Sequence, residues 1–155
     1  MISKSLLNDL VRMGKLQKQK TDSGYINGLI DGAHRNIRAA LLLQHKVDEA
    51  AFKLMYDGLL QISRAVVMIK GYRPDDGEQH KTTFTDAGIF LGEELEEIIG
   101  KIQKYRIKRN DCIYQPKDLI GKTETEAILK TAREFWPKAK KYLEGKNSQL
   151  RLFEI

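Results

Sequence analysis

Apolar residues recur at alternating steps of three and four along most of this chain, and this spacing constrains the fold more than any other feature. Five segments carry such a stripe, which is typical of an amphipathic helix packed on a core. No segment shows strand-like alternation of useful length. The pattern therefore predicts an all-α fold, an up-and-down bundle of about five helices with no sheet. A length of 155 residues favours a single domain over residues 1–155.

Capping residues indicate where the first helices begin. We expect an N-terminal helix over about residues 5–20, a second helix after Asp22 and a third from Asp48. Glycine and proline then interrupt the pattern at residues 71–81, which predicts a loop of about ten residues. Loops of that length in compact domains are often functional.

The remaining helices are predicted from similar signals. The fourth should begin near Thr82 or Thr83 and continue almost to Pro116, and a second loop should follow. The spacing of residues 123–126 matches a capping box, so we expect the fifth helix to begin there, with a kink or early break at Pro137. The apolar C-terminal tail, residues 146–155, is expected to dock on its own core or on a second subunit.

Charge and cysteine content limit the setting of the protein. The chain has 27 basic and 21 acidic residues and a net charge of +6, which favours polyanions as partners. Cys112 is the only cysteine, so an intrachain disulfide is impossible and a reducing, cytoplasmic location is expected. No apolar run approaches the ~20 residues that span a bilayer, so we expect neither a signal peptide nor a membrane anchor.

A charged residue interrupts the stripe of the fourth helix. The stripe comprises Phe84, Gly88, Leu91, Leu95, Ile98, Ile102 and Tyr105. Its next position is Arg109, whose guanidinium must meet a carboxylate, a phosphate or a partner subunit if it turns inward. Arg106, Asn110 and Tyr114 follow one another at four-residue spacing on an adjoining face. Either Arg109 pairs with a glutamate on a neighbouring helix and Tyr114 marks the helix end, or this face is functional.

The histidines give no metal-binding pattern. His34, His45 and His80 are far apart, and none has an acidic or cysteine partner at ligand spacing. No cofactor is expected, because the chain also lacks a glycine-rich phosphate loop. His80 shares the long loop with Arg73 and could turn toward Arg109, although a plainer interpretation is a loop histidine that caps the following helix.

The order of these motifs resembles a known family, the HEPN domain of prokaryotes. The resemblance covers about residues 26–143. It rests on Gly71-Tyr72-Arg73-Pro74, then His80, then a long helix ending in Arg109-Asn110-Asp111-Cys112-Ile113-Tyr114, then an acidic-capped final helix with Phe135 and Leu143. It implies an α-helical bundle that is commonly a homodimer. Many HEPN proteins are metal-independent ribonucleases of toxin-antitoxin, abortive-infection and CRISPR-linked defence systems, and others accompany a minimal nucleotidyltransferase.

The resemblance also implies roles for single residues. In nuclease members an arginine is followed, after four to six residues, by a histidine, and two such pairs meet across the dimer to cut RNA. Arg109 corresponds to that arginine and Asn110 to the polar residue beside it, while Tyr114 stands at the histidine position. A phenol has a pKa near ~10 and is a poor general base at neutral pH. It can still donate a hydrogen bond or stack on a base.

The expected function is binding of RNA or a nucleotide at a dimer cleft, as a component of a toxin-antitoxin or defence system. Its residues would be Arg109, Tyr114 and His80, with Arg106, Asn110, Arg73 and Asp111 as further ligand contacts. Lys101, Lys104 and Lys108 would extend the positive surface. One alternative is a metal-independent endoribonuclease toxin, in which His80 or a water takes the proton. Another is a non-catalytic partner of a nucleotidyltransferase, in which Arg109 is a structural ion pair.

Overall fold

The computed structural model describes residues 4–75, 77, 79–114 and 120–155. These residues form six α-helices, one short 3-10 helix and two three-residue strands. In chain order the elements are α1 (Lys4–Arg12), β1 (Leu16–Lys18), α2 (Ser23–Leu43), α3 (Asp48–Ile69), β2 (Tyr72–Pro74), α4 (Gln79–Leu91), the 3-10 helix (Glu93–Leu95), α5 (Glu96–Tyr114) and α6 (Lys122–Lys146). The predicted helical architecture is therefore confirmed, and the prediction that there is no sheet is wrong.

Helix α3 is the centre of the bundle. It contacts α2 most extensively and also packs against α4, α5 and α6. Because neighbours surround it, most of its circumference is apolar and buried, unlike a surface helix with one apolar face. Its buried residues are Ala51, Phe52, Met55, Tyr56, Gly58, Leu59, Leu60, Ile62, Ser63, Ala65, Val66 and Val67. Its start at Asp48 and the start of α2 after Asp22, whose carboxylate accepts the N–H of Tyr25 at 3.2 Å, confirm the predicted boundaries.

The small sheet replaces the end predicted for the first helix. α1 ends at Arg12, not near residue 20, and Gly14 turns the chain with a φ of +73°. β1 then pairs antiparallel with β2, with Leu16 opposite Pro74. A strand of three residues is too short to show a two-residue periodicity, so the sequence pattern could not reveal it. The sheet joins the chain before α2 to the segment that was predicted to be a loop.

The predicted fourth helix is divided in two. α4 begins at Gln79, earlier than predicted, and ends at Leu91. Gly92 has a φ of +112°, which only glycine adopts without strain, and α5 follows the 3-10 helix. The apolar stripe still continues across the break, since Leu95 and Ile102 are both buried. The expected end near Pro116 and most of the second loop lie outside the described residues.

Helix α6 differs from prediction at both its start and its middle. It begins at Lys122, and the carboxylate of Glu124 accepts the N–H of Gly121 at 2.8 Å, so the predicted capping box at 123–126 is wrong. The helix passes through Pro137 and ends at Lys146, so the early break is also wrong. Because proline has no N–H, the carbonyl of Arg133 lacks its usual helical donor at position 137. Both residues are exposed, so water can hydrogen bond to that carbonyl.

The C-terminal tail packs against its own chain, which is one of the two positions predicted for it. The ring of Phe153 stacks on Trp136 at a centroid distance of 4.2 Å and on His34 at 4.5 Å. The indole N–H of Trp136 donates to the carbonyl of Phe153 at 2.8 Å. At the surface, Arg151 pairs with Asp31 of α2 at 2.7 Å. The tail therefore closes the groove between α2 and α6.

We predict opposite effects of alanine at two helical glycines. At Gly58 an added Cβ would lie 2.8 Å from Cγ1 of Ile37, so Gly58→Ala should lower the free energy of unfolding by about 1–2 kcal/mol despite a better helix propensity. At Gly100 no described atom lies within 4 Å of such a Cβ, so Gly100→Ala should raise the free energy of unfolding by about 0.5–1 kcal/mol. Urea denaturation measures both. Equal shifts would contradict the close approach of α2 and α3.

Candidate functional site

Tyr56 of α3 contacts a histidine of α4 and an arginine of α5. It lies on α3 and is fully buried. Its hydroxyl is 3.1 Å from Nδ1 of His80 on α4, and its ring centroid is 5.1 Å from Cζ of Arg109 on α5. The second distance lies within the range of a cation–π contact. One aromatic side chain thus fixes the relative positions of His80 and Arg109.

Arg109 meets a carboxylate within its own chain. A terminal nitrogen of its guanidinium lies 3.6 Å from Oδ1 of Asp57 on α3, which is an ion pair but too long for a hydrogen bond. Its Nε is buried and has no hydrogen-bond partner in the described part of the chain. Of the two interpretations that the sequence left open, the ion pair with a carboxylate of a neighbouring helix is observed, although the residue is an aspartate and not a glutamate. The sharing of an anion between two copies of Arg109 stays a prediction.

Burial and charge shift the pKa values in this cluster. Burial raises the pKa of Tyr56 to about 12, against the opposing effect of Arg109, so the phenol keeps its proton at neutral pH. Burial also raises the pKa of Asp57, while Arg109 opposes that rise. The pKa of His80 is lowered, first by burial and then by the positive charges of Arg64 and Arg109. The neutral imidazole is therefore favoured at physiological pH.

An open cleft of about 430 Å³ lies beside this cluster. We call it the basic cleft. Among the described residues it is lined by Arg64 of α3, by Gly77 before α4, by Gln79, His80 and Lys81 of α4, and by Arg106 and Asn110 of α5. Gln103 holds one wall in place. Its amide nitrogen donates to the carbonyl of Lys81 at 2.9 Å, and its oxygen accepts the Nε–H of Arg106 at 2.8 Å. Three basic residues and two residues with side-chain amides thus line one surface.

The structure brings some predicted site residues together and separates others. His80, Arg106 and Asn110 line the basic cleft, and Arg109 lies behind it against Tyr56. His80 is in the first turn of α4, so the prediction that it belongs to a loop is wrong. Its predicted proximity to Arg109 is confirmed through their shared contact with Tyr56.

The other predicted residues lie elsewhere. Tyr114 is 83% exposed at the end of α5, Asp111 is exposed too, and neither is among the lining of the basic cleft. Arg73 lines a neighbouring cleft. Of the lysines expected to extend the positive surface, Lys108 contacts Glu124 at 3.8 Å and Lys101 contacts Glu97 at 3.7 Å. These ion pairs reduce the positive charge that the two lysines contribute.

Three residues of the site were missed from the sequence, namely Tyr56, Asp57 and Arg64. A signal for two of them exists. Tyr56 and Arg64 are eight residues apart on α3, which places them two helical turns apart on one face. A phenol and a cation on one face of an otherwise apolar helix indicate a polar cluster at its surface. Asp57 gives no comparable signal, because a single aspartate in a helix is usually solvated.

Known proteins provide no relative of this chain, and its described residues show no metal-binding group. Comparison with known protein families, curated proteins and solved structures found no significant match to this chain. Among the described residues, no group of three or more histidine, cysteine, aspartate or glutamate side chains is arranged to hold a metal ion. Each helix in the described ranges is too short or too polar to cross a membrane.

The lowered pKa of His80 predicts how stability depends on pH. Below its ordinary value of 6.5, the unfolded chain binds a proton that the folded chain resists, so the free energy of unfolding should fall as the pH decreases. Above 6.5 the residue is neutral in both states and has no effect. His80→Asn, which keeps a polar atom near the position of Nδ1, should show a weaker dependence below pH 6.5. Parallel stability curves for the two proteins would contradict the lowered pKa.

Proposed function

We propose that the basic cleft binds the phosphate groups of RNA. The observation that carries this proposal is the convergence of Arg64 of α3, His80 of α4 and Arg106 of α5 on one open surface. Guanidinium groups pair with phosphate through two parallel hydrogen bonds, and such charge-assisted bonds are stronger than neutral ones. The amide of Asn110 and the imidazole of His80 add groups that hydrogen bond to a phosphate or a sugar hydroxyl.

The charge balance of the cluster supports an anionic ligand. Arg64, Arg106 and Arg109 are all close enough to His80 to lower its pKa. Asp57 opposes that effect, and it contacts one of the three guanidiniums. Cations held close together repel one another, and a phosphate between them removes that repulsion. Binding of the ligand therefore gains free energy from the loss of this repulsion.

The volume of the cleft favours a ligand larger than a free anion. Its volume of about 430 Å³ falls in the range of pockets that hold small organic ligands, which exceeds the need of a single phosphate. The net charge of +6 attracts a polyanion at long range. The similarity of residues 109–114 to HEPN proteins, many of which act on RNA, supports the same ligand class.

A role in a toxin-antitoxin or defence system and a homodimeric state are part of this proposal. Both rest on the family resemblance. One structural feature supports a protein partner along the C-terminal half of α5, where Ile107, Ile113 and Tyr114 are each more than half exposed. Such apolar groups are often covered in an assembly. A nucleotidyltransferase as the partner is the corresponding alternative.

A metal-independent ribonuclease is the second candidate function, and the state of His80 favours it. A neutral imidazole can accept the proton of a ribose 2′-hydroxyl as that oxygen attacks the adjacent phosphorus. The P–O5′ bond then breaks, which gives a 2′,3′-cyclic phosphate, and the departing 5′-oxygen takes a proton from water or from the imidazolium. If Nδ1–H donates to the phenol oxygen of Tyr56, the lone pair lies on Nε2, where a substrate can reach it. Arg106 would stabilise the charge that develops on phosphate. Tyr114 has no necessary part in this chemistry.

We predict that Arg106→Ala weakens RNA binding by about ten- to a hundredfold, because a charge-assisted contact is lost. The slope of log affinity against log salt concentration should decrease by about one. Fluorescence anisotropy with a labelled single-stranded RNA measures both quantities. Arg133→Ala is the matched control, since it removes the same charge from an exposed position on α6. If the two variants lost the same affinity for RNA, the binding would depend only on the net charge of the protein, which would contradict the proposal.

The nuclease candidate predicts RNA cleavage in the presence of a metal chelator. The cleavage rate should fall as the pH drops through the pKa of His80, since protonation removes the base. His80→Asn should abolish cleavage while RNA binding stays within about threefold of the original protein. Cleavage by the His80→Asn variant at an unchanged rate would exclude this mechanism.

A further inference from the structure

A second cleft adjoins the basic cleft and has a different character. It encloses about 370 Å³, and Tyr25, Met68 and Pro74 supply its apolar surface. The ring of Tyr25 is prominent here, since the residue is 54% exposed. Large aromatic side chains usually bury most of their surface in a folded domain. We call this space the Tyr25 cleft.

Charged groups of both signs stand at the edges of the Tyr25 cleft. Asp22 lies at the start of α2, where its carboxylate accepts the N–H of Tyr25 at 3.2 Å and so fixes the backbone that carries the ring. Arg73 of β2 also lines the cleft; its guanidinium donates to the side chain of Gln17 and lies 4.0 Å from Asp75. An apolar space edged by a carboxylate and a guanidinium suits a flat heterocycle with donors and acceptors better than it suits a bare anion.

The two clefts are adjacent. Arg64 and Gln79 line both of them. One ligand can therefore extend from the basic cleft into the Tyr25 cleft, with a charged group near Arg64 at the junction. A nucleotide has this composition, because its phosphate is joined to its base through a sugar.

We infer that the Tyr25 cleft is a base-binding subsite for single-stranded RNA, in which a nucleobase stacks on the ring of Tyr25. This inference rests on the proposed function, since the basic cleft would hold the phosphate attached to that nucleotide. Base-paired RNA is excluded from this arrangement, because its bases are already stacked and turned inward. The exposed ring costs little to order on binding, since α2 already fixes its backbone.

Stacking on an aromatic side chain strengthens the binding of a base, so Tyr25→Ala should weaken binding of single-stranded oligoadenylate by about tenfold. Tyr25→Phe keeps the ring and should bind within about twofold of the original protein. An abasic ribose–phosphate oligomer of the same length is the second probe. Tyr25→Ala should bind this oligomer as well as the original protein does, because it offers no base to stack.

Arg106→Ala, measured with the same two probes, separates the two proposals. If Arg106→Ala weakens both probes and Tyr25→Ala weakens neither, the phosphate site stands and the base subsite is overturned. If Tyr25→Ala weakens both probes equally, the ring does not stack on a base and the subsite is again overturned. If Arg106→Ala has no effect on either probe, the proposed function itself fails.

Discussion

The contact of Tyr56 with His80 and Arg109 is the interaction on which the site depends. Tyr56 is fully buried on the central helix, so its ring cannot move without disturbing the packing of α3 against its neighbours. Its hydroxyl and its face then determine where a side chain of α4 and a side chain of α5 lie. The positions of the cleft residues follow from this rigid centre, since His80 lines the basic cleft and Arg106 is one helical turn from Arg109.

The same contact carries a cost in stability. A phenol with a pKa near 12, a carboxylate with a raised pKa and a histidine with a lowered pKa all sit in surroundings that disfavour their charged forms. The buried Nε of Arg109 adds a donor without a partner among the described residues. Clusters of perturbed groups beside a cleft are frequent at functional sites. An apolar side chain at position 109 would avoid the buried donor that has no partner among the described residues. The presence of an arginine there is explained if its charge makes the electrostatic potential of the nearby cleft more positive.

The sequence predicted the parts of this structure that depend on helical periodicity. The starts of α2 and α3 and the helical character of most of the chain follow from stripes and capping residues. The predictions failed where one residue decided the geometry, as with the positive φ of Gly92, which divides α4 from α5. For the site, spacing identified Arg106, Arg109 and Asn110 on one helix. The eight-residue spacing of Tyr56 and Arg64 marks a polar face of α3. Only the packing of α3 against α5 shows that this face meets those residues.

The most direct test of the phosphate-binding account is to measure the pKa of His80 by NMR of its ring, in the free protein and in the RNA complex. The free protein should show a lowered pKa. A phosphate in the basic cleft would place negative charge beside the imidazole, which favours its protonated form, so the pKa should rise on binding. An unchanged pKa in a fully bound sample would show that the phosphates bind elsewhere and would contradict the account.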